Sequence, residues 1–476
     1  MANKPLDSTL LDKAICYAVK AHAGTERRGK GYPYIVHPME AVAIVATITP
    51  DQELLAAAAL HDVVEDCGCS VDEIRREVGP RVADLVDSES EAKVEHLSET
   101  DSWRMRKEAA INRLAHASRD AKIVAMGDKL SNMRAIAADY EQLGDQLWDR
   151  FHAPNGKSDH EWHYRGLADA LFELASTRAF KEFCSHIDAV FGTAGLNTQH
   201  RIDLNDYEQS GDGFTAVSYN HRDGHTMIKL YNDFMPAEAA ISELRCARAV
   251  VRMGIATPMP GRLVTDGKRI GAEFERINPK RSFARAISQE PERLEEYAVR
   301  FAHHCKLLHS IECDQSVFGP ADRVAHKVID DCPYFDDAQK AVMHQFVDSV
   351  PSASTCLHGD MHIGNMITNG EHDYWIDLGD FGWGNPLFDN GMLYLACKCN
   401  DEQLTQRLYH VSNDQMAQVW NIFVREYYGA RSPEECAKVD ESCKPFAALR
   451  LMYYGTRDKM FPPMLAFIKS AFGLDV

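Results

Sequence analysis

Three features are scarce in this 476-residue chain, and each scarcity excludes something. Basic charge is the first: 52 Lys and Arg face 71 Asp and Glu, a net charge of −19. A protein that grips nucleic acid broadly through its phosphates needs a basic face, so nucleic acid is not an expected partner, although a small basic pocket could still hold a nucleotide. Long apolar runs are the second. The first twenty residues carry no apolar core of signal-peptide length and no small-residue cleavage pattern. The nearest apolar run, Leu54–Val64, is interrupted by His61 and Asp62 and is too short to span a bilayer. A cytoplasmic protein with no membrane partner is the expectation. Paired cysteine spacing is the third. Thirteen Cys are scattered, none in a CxxC pattern, with only Cys67/Cys69 and Cys397/Cys399 in CxC pairs. That usage points to reduced, mostly buried thiols rather than a disulfide frame or a structural zinc site.

What is present is ordinary for a globular protein: 45% apolar and 26% charged residues, enough to build real cores. At about 150 residues per domain the length allows two large or three small domains. No internal repeat or low-complexity tract stands out. Residues 8 to 192 read as successive helices. Leu11, Ala14, Ile15, Ala18 and His22 recur at helical spacing, Gln52 to Val64 reads as one Ala/Leu-rich helix, and Ser70 with Glu73 forms a capping box before a helix that ends at Gly79-Pro80. Further helices are expected at Trp103–Ala117 and Asp120–Tyr140. The pattern changes near residue 196, where Phe214–Tyr219, Thr226–Tyr231 and Ala272–Ile277 read as strands before long helices return after Ser282. The segment GTAGLNTQ has the composition of a linker, so two domains are expected, 1–195 and 196–476.

In the first, His37, the pair His61–Asp62 and Asp128 offer two imidazoles and two carboxylates. That donor set suits a borderline-hard divalent ion such as Mn²⁺ with positions left for water. Glu65 and Asp66 follow His61 and Asp62 at i+4, one helical turn on, and a metal beside carboxylates is equipment for activating water against a phosphate ester. Arg27, Arg28 and Lys30 shortly precede His37 and could neutralise phosphate. A single His beside Pro would be weak evidence; the joint pattern is much stronger.

In the second, Leu357–Ile367 reads LHGDMHIGNMI and is followed by YWIDLGD. Phosphoryl transfer needs a carboxylate to orient a hydroxyl and take its proton, which Asp360 can do, and oxygen ligands for Mg²⁺, which Asn365 and Asp377 can supply. Lys229 on a strand can pair with ATP phosphates and Glu243 on the next helix can pair with Lys229, with Glu238 as a rival. Gly211 and Gly213 open a strand where backbone amides could cover phosphates, though an ordinary hairpin turn fits as well. Glu275–Ile277 reads as the hinge that meets adenine.

The segments AHAGTERRGKGYPYIVHP, LLAAAALHDVVED, GPRVADLV and DAKIVAMGDKLSNMR together resemble the HD-type hydrolases of the RelA/SpoT alarmone enzymes over residues 8–180. The resemblance implies an all-helical fold, Mn²⁺ at His37, His61, Asp62 and Asp128, Glu65 and Asp66 beside the attacking water, Arg27 on substrate phosphate and Asn132 on the nucleotide. It implies removal of the 3′ pyrophosphate of guanosine tetraphosphate or, as in some relatives, the 2′-phosphate of NADPH. Cys67, Gly127 and Thr25 depart from the usual Thr, Ala and Gln, and no alarmone synthetase domain follows. Residues 200–470 resemble the aminoglycoside phosphotransferase and choline kinase group. That implies an α+β two-lobed, protein-kinase-like fold with Asp360 as base, Asn365 and Asp377 on Mg²⁺, Lys229 on ATP, and Asp389 bracing the loop. The combined reading is a multidomain, bifunctional enzyme: a helical hydrolase acting on a nucleotide, then a kinase acting on an unidentified small hydroxylated acceptor. The rival is a kinase regulated by a nucleotide-sensing, non-catalytic HD domain. A kinase acting on RNA is disfavoured by the lack of a basic platform. Oligomeric state is left open.

Overall fold

The computed structural model describes residues 8–89, 98–192, 199–212, 215–455 and 460–474. The amino-terminal half is helical, as its periodicity requires: α1 (Thr9–Ala21), α2 (Val36–Ala46), α3 (Gln52–Leu60), α4 (Val63–Cys67), α5 (Val71–Val78), α6 (Pro80–Glu89), α7 (Glu99–Ala115), α8 (Arg119–Leu143), α9 (Lys157–Ala170) and α10 (Arg178–Phe191). Among the described residues up to 192, extended pairing is confined to one isolated bridge between Glu26 and Pro33. The capping box of Ser70 and Glu73 starts α5 as expected, and the Ser98 and Ser118 hydroxyls accept from backbone amides to start α7 and α8. Every residue of α3 from Leu54 to Leu60 is buried, so this Ala-rich helix is the centre of the bundle.

One expectation fails here. The helix does not run from Gln52 to Val64, and His61 and Asp62 do not share a helix with Glu65 and Asp66. α3 stops at Leu60 and α4 starts at Val63. The His61 Nδ1 lies 2.9 Å from the Ala58 carbonyl, which is the acceptor the Asp62 amide would use in a continuous helix. At the break the His61 ring thus contacts the carbonyl that ends the helix ladder.

Six strands follow: β1 (Gln199–Arg201), β2 (Tyr207–Asp212), β3 (Ala216–His221), β4 (Thr226–Tyr231), then, after α11 (Ala237–Arg252), β5 (Pro260–Thr265) and β6 (Ile270–Glu275). They form one sheet in the order β1-β5-β6-β4-β3-β2, antiparallel except for the parallel β1–β5 pair. The expected strand at Ala272–Ile277 lies two residues earlier, because it ends where Glu275 bonds the Met259 backbone: its amide donates to the Met259 carbonyl at 2.8 Å and its carboxylate accepts from the Met259 amide at 3.1 Å.

The chain divides into two compact units, residues 1–241 with 259–275, and residues 242–258 with 276–476. The six-stranded sheet belongs to the first. The expected boundary at 195/196 lies outside the described residues. The second unit holds β7 (Arg281–Ser282), α12 (Phe283–Gln289), α13 (Leu294–Leu308), α14 (Ala321–Asp331), α15 (Asp337–Ser349), β8 (Cys356–Leu357), β9 (Met366–Thr368), β10 (Asp373–Trp375), β11 (Gly382–Trp383), α16 (Leu387–Tyr394), α17 (Glu402–Tyr409), α18 (Asn413–Phe423), α19 (Pro433–Gly455) and α20 (Pro462–Ala471). β9 and β10 form a hairpin extended by β7, and β8 pairs with β11. Among the described residues no helix is long and apolar enough to cross a membrane.

Candidate active sites

Three segments bring four side chains together in the helical half. His37 lies in the first turn of α2, His61 and Asp62 in the break between α3 and α4, and Asp128 within α8. The Nε2 atoms of His37 and His61 are 3.2 Å apart. Asp128 Oδ1 lies 3.2 Å from the first and 3.5 Å from the second, and Asp62 Oδ2 lies at 3.4 and 3.0 Å. The opposite ring nitrogens decide the tautomers. Ser131 Oγ gives its proton to Glu40 at 2.6 Å, so it can only accept from His37 Nδ1 at 2.8 Å. His61 Nδ1 faces a carbonyl, which can only accept. In the neutral rings both Nε2 atoms therefore carry lone pairs, and these face two carboxylate oxygens.

Four electron-pair donors at such distances repel unless a cation sits among them. Protons alone resolve the conflict by splitting the groups apart. Although burial opposes each charge, the carboxylates of Asp62 and Asp128 hold the His61 imidazole charged well above its usual range, and their partners hold both carboxyls below theirs. A divalent ion resolves it with all four lone pairs used. The donor set, and the Glu40–Ser131 relay that orients His37, fit one such as Mn²⁺.

A cavity of about 300 Å³ lies against this cluster, lined by Glu65, Asp66, Arg27, Asn132, Lys107 and Arg113 among others. Arg27 donates to Asn132 Oδ1, and Asn132 Nδ2 donates to Asp128 Oδ1. Both side chains expected to meet substrate are thus tied to the Asp128 carboxylate of the His/Asp cluster. Arg28 is exposed and Lys30 pairs with Asp139 at 2.6 Å, so of the three basic residues before His37 only Arg27 reaches the cavity.

In the second unit the loop between β8 and β9 is held from beneath. Asp389 is fully buried; its two oxygens accept the His358 and Gly359 amides, each at 2.7 Å, and His309 Nε2 lies at 3.1 Å. Gly359 has φ 81° and passes so close to the next loop that a Cβ would stand 2.0 Å from the Asp380 carbonyl oxygen, so only glycine fits. Asn365 Nδ2 donates to the Asp360 carbonyl at 2.9 Å and to its carboxylate at 3.2 Å. The hairpin pairs Met366 with Trp375, and the Ile376 amide reaches the Asn365 carbonyl at 3.0 Å. Asn365 and Asp377 consequently stand at the same open end. Asp377 is exposed and left-handed, φ 62° and ψ 60°, a conformation Asp tolerates and functional sites retain. Asp360 Oδ1 accepts from Arg450 Nη2 at 3.0 Å and Tyr454 Oη at 3.2 Å. Burial works against its charge, yet His362 and Arg450 hold its carboxyl well below the usual range.

In the six-stranded sheet, Lys229 lies on β4 between buried Ile228 and Leu230, hence on the opposite face, and β4 is an internal strand between β3 and β6. Gly211 pairs with Ser218 beside a bulge in β2. Gly213 lies outside the described residues. Glu243 stands on α11, and Glu238 in its first turn.

Comparison with known families matches both clusters. A model described as an HD domain matches residues 14–153, and one described as a phosphotransferase enzyme family matches residues 206–420. The chain carries an HD domain followed by a phosphotransferase-family domain. The GTP pyrophosphokinase rsh of Brucella ovis is 33% identical over 214 residues, covering 43% of this chain and 28% of that protein. A probable guanosine-3′,5′-bis(diphosphate) 3′-pyrophosphohydrolase of a Synechocystis species is 30% identical over 275 residues, 53% of this chain and 36% of that protein. The chain thus spans well under half the length of either relative. Among solved structures, the amicoumacin kinase hAmiN in complex with AMP-PNP, Ca²⁺ and Ami is 15% identical with a TM-score of 0.38, covering 58% of this chain and 89% of that chain.

The HD domain uses residues the sequence reading passed over. Tyr34 Oη donates to Asp62 at 2.7 Å, and Lys129 Nζ bonds Asp128 at 2.5 Å while facing Glu89 at 3.4 Å. Lys129 adjoins Asp128 and Ser131 follows it at i+3, so both could have been found by asking what surrounds a ligand on its own helix. His163 of α9 lines the same cavity and had no signal at all. Of the departures from the resembling motifs, Cys67 packs its sulfur 3.2 Å from His22 Nδ1, and burial pushes its thiol up to about 11, which favours the protonated form. In the phosphotransferase domain the missed residues are Arg450 and Tyr454, which lie 90 and 94 positions from Asp360.

Proposed function

We propose that the protein is a bifunctional cytoplasmic enzyme. Its HD domain is a Mn²⁺-dependent nucleotide (pyro)phosphohydrolase with guanosine tetraphosphate as the leading substrate. Its second domain transfers phosphate from Mg·ATP to a small hydroxyl compound. The observation that carries the first half is the set of lone pairs at His37 Nε2, His61 Nε2, Asp62 and Asp128, all within 3.5 Å of a facing imidazole nitrogen. Those four side chains would hold the ion, which when bound supplies a water acidic enough to attack at neutral pH. Glu65 and Asp66, on the cavity wall, would accept a proton there as general base. Arg27, Lys107 and Arg113 neutralise the phosphate groups, and Asn132 meets the nucleotide.

In the second half Asp360 orients the acceptor hydroxyl and takes its proton, while Asn365 and Asp377 would hold Mg²⁺. Lys229 meets the ATP phosphates, braced by Glu243, and the backbone at Gly211 and Gly213 covers them. All thirteen cysteines are free thiols, which accords with a reducing compartment.

The test uses the full chain, with metal analysis and hydrolysis of guanosine tetraphosphate and NADPH. Asp62→Ala should lose both the metal and hydrolysis. Glu65→Gln should retain the metal and nucleotide but slow turnover about 10²-fold or more, the scale for losing a general acid/base. A wild type that binds metal and nucleotide yet turns nothing over would instead make the HD domain a sensor for the kinase.

A further inference from the structure

We propose that the first compact unit holds a further ligand site, for a small organic cation with an apolar body, apart from both candidate reaction centres. It is independent of the two activities proposed above. A cavity of about 700 Å³ lies between α7 and α9 on one side and the six-stranded sheet on the other. In α7, Lys107 and Arg113 line the cavity beside the His/Asp cluster, while Ile111 and Ala115 line this one. In α9, His163 and Leu167 line the first, while Gly166 and Asp169 line the second. The two helices are thus a common partition, closely packed at its middle, where a Cβ on Gly166 would stand 2.6 Å from Ile111 Cδ1. On the sheet side Glu273 is the register partner of Ile228, so it lies on the face opposite Lys229. A molecule in this cavity obstructs neither the His/Asp cluster nor the face of β4 expected to meet ATP.

Charge decides the ligand class. Glu173 is taken up by Lys122 at 3.0 Å and by Arg119 at 3.4 Å. The other four carboxylates on the wall, Glu108, Asp169, Asp223 and Glu273, face one fixed cation, Arg262. Its guanidinium lies 3.9 Å from Asp169 and 3.2 Å from Glu273, and one positive charge balances only one of the two. Neither contact is a hydrogen bond: the first is too long, and in the second the Arg262 Nε is left without an acceptor. Glu273 is 5% exposed, and its carboxylate accepts no hydrogen bond among the described residues; burial pushes its pKa up although Arg262 opposes the shift. The other neighbour of Asp169 is the His200 ring at 3.7 Å, which burial holds toward its neutral form. An ammonium group entering here brings the donors that Asp169 and Glu273 lack and the positive charge that the wall lacks. Its apolar body rests against Ile111, Phe172 and Tyr207. An anion of the same shape meets the same excess of carboxylates as repulsion.

The experiment uses the full chain at pH 8, where an imidazole is ordinarily uncharged, with two probes of one shape and opposite charge, phenethylamine and 3-phenylpropionate, read by calorimetry. The amine should bind and the anion should not. Asp169→Asn and Glu273→Gln keep the shape of each side chain and should each weaken the amine about tenfold or more, the scale for a hydrogen bond to a charged group. Glu108 is exposed, so Glu108→Lys changes the charge of the wall without disturbing the core, and it should weaken the amine about threefold or more. A chain that does not bind phenethylamine, or that binds 3-phenylpropionate more tightly, overturns the proposal. Unchanged amine affinity in Asp169→Asn and Glu273→Gln also overturns it, since the amine then sits elsewhere, and so does unchanged affinity in Glu108→Lys.

Discussion

Gly127→Ala tests whether the spacing of two helices sets the spacing of the metal site. Gly127 lies inside the 25-residue helix α8, where alanine would ordinarily gain about 1 kcal/mol from reduced backbone entropy. Opposing that gain, a Cβ there would stand 2.8 Å from the Ala41 carbonyl oxygen and 2.8 Å from Val45 Cγ2, both on α2. Ordinary contacts of this kind lie near 3.5–4.0 Å, so about 1 Å must be found. Val45 can turn, but the Ala41 carbonyl belongs to the helix backbone, so α2 and α8 must separate. Overpacking of this kind costs about 1–3 kcal/mol, which leaves a net loss of up to roughly 2 kcal/mol and a fall in melting temperature of several degrees. The diagnostic readout is the metal. α2 carries His37 and α8 carries Asp128, the residue after Gly127, and their ligand atoms are 3.2 Å apart. Separating the helices should weaken Mn²⁺ binding by about tenfold or more, the scale seen when support for a ligand is disturbed. Calorimetric melting with and without Mn²⁺, together with metal titration, reads both effects. An alanine variant that melts at or above the wild-type temperature and binds Mn²⁺ equally well would refute the reasoning, because propensity alone would then have decided the outcome.

Asp389→Asn should leave one of the His358 and Gly359 amides facing an amide nitrogen, costing about 1–3 kcal/mol in the second unit; phosphotransfer should fall while guanosine tetraphosphate hydrolysis is unchanged, and a loss of both would show that the loop is not what Asp389 holds. Asp360→Asn should abolish transfer with Mg·ATP affinity nearly intact, whereas Asp377→Ala should also weaken Mg·ATP; equal ATP titrations for the two variants would refute this division of roles. His160 sits among Trp148, Trp103 and Phe151 with no partner for either ring nitrogen among the described residues, and burial lowers its pKa to about 4. The unfolded chain takes up this proton below its usual value near 6.5 while the folded chain does not until about 4, so stability is lost as pH falls through that window. His160→Phe should consequently add more stability at pH 5 than at pH 8, by on the order of 1–2 kcal/mol in denaturant titrations, and equal gains at both would refute the assignment.

The sites were legible in the sequence where chemistry demands short, ordered segments. His37, His61, Asp62 and Asp128 could be chosen because the ligand types recur in segments of one recognisable order, and the structure brings all four within 3.5 Å of a facing partner. Asp360, Asn365 and Asp377 could be chosen because a loop and a hairpin impose their spacing: Asn365 precedes β9 and Asp377 follows β10 closely. The helix break at His61 was not legible, since the Ala/Leu periodicity runs straight through it. There a ring meets a helix carbonyl with one nitrogen and the His37 ring with the other, tertiary contacts that a local periodicity does not register. Nor could sequence separate Arg27 from Arg28 and Lys30, because which member of a basic run faces a cavity depends on the turn that carries it.

The cavity beside the loop between β8 and β9 is the extreme case of what sequence conceals. Its wall is drawn from α14, α16 and α19, three helices spread between residues 321 and 455, each of which reads by itself as an ordinary packed helix. Arg450, on that wall, bonds a carboxylate 90 positions away. Donors for a metal or a transferring phosphate must come in fixed types, whereas a pocket for an acceptor can be built from any side chains whose shapes and charges sum correctly. That difference in chemical constraint explains why the two candidate clusters could be picked out of this chain before its structure, while the residues that line the cavity could not.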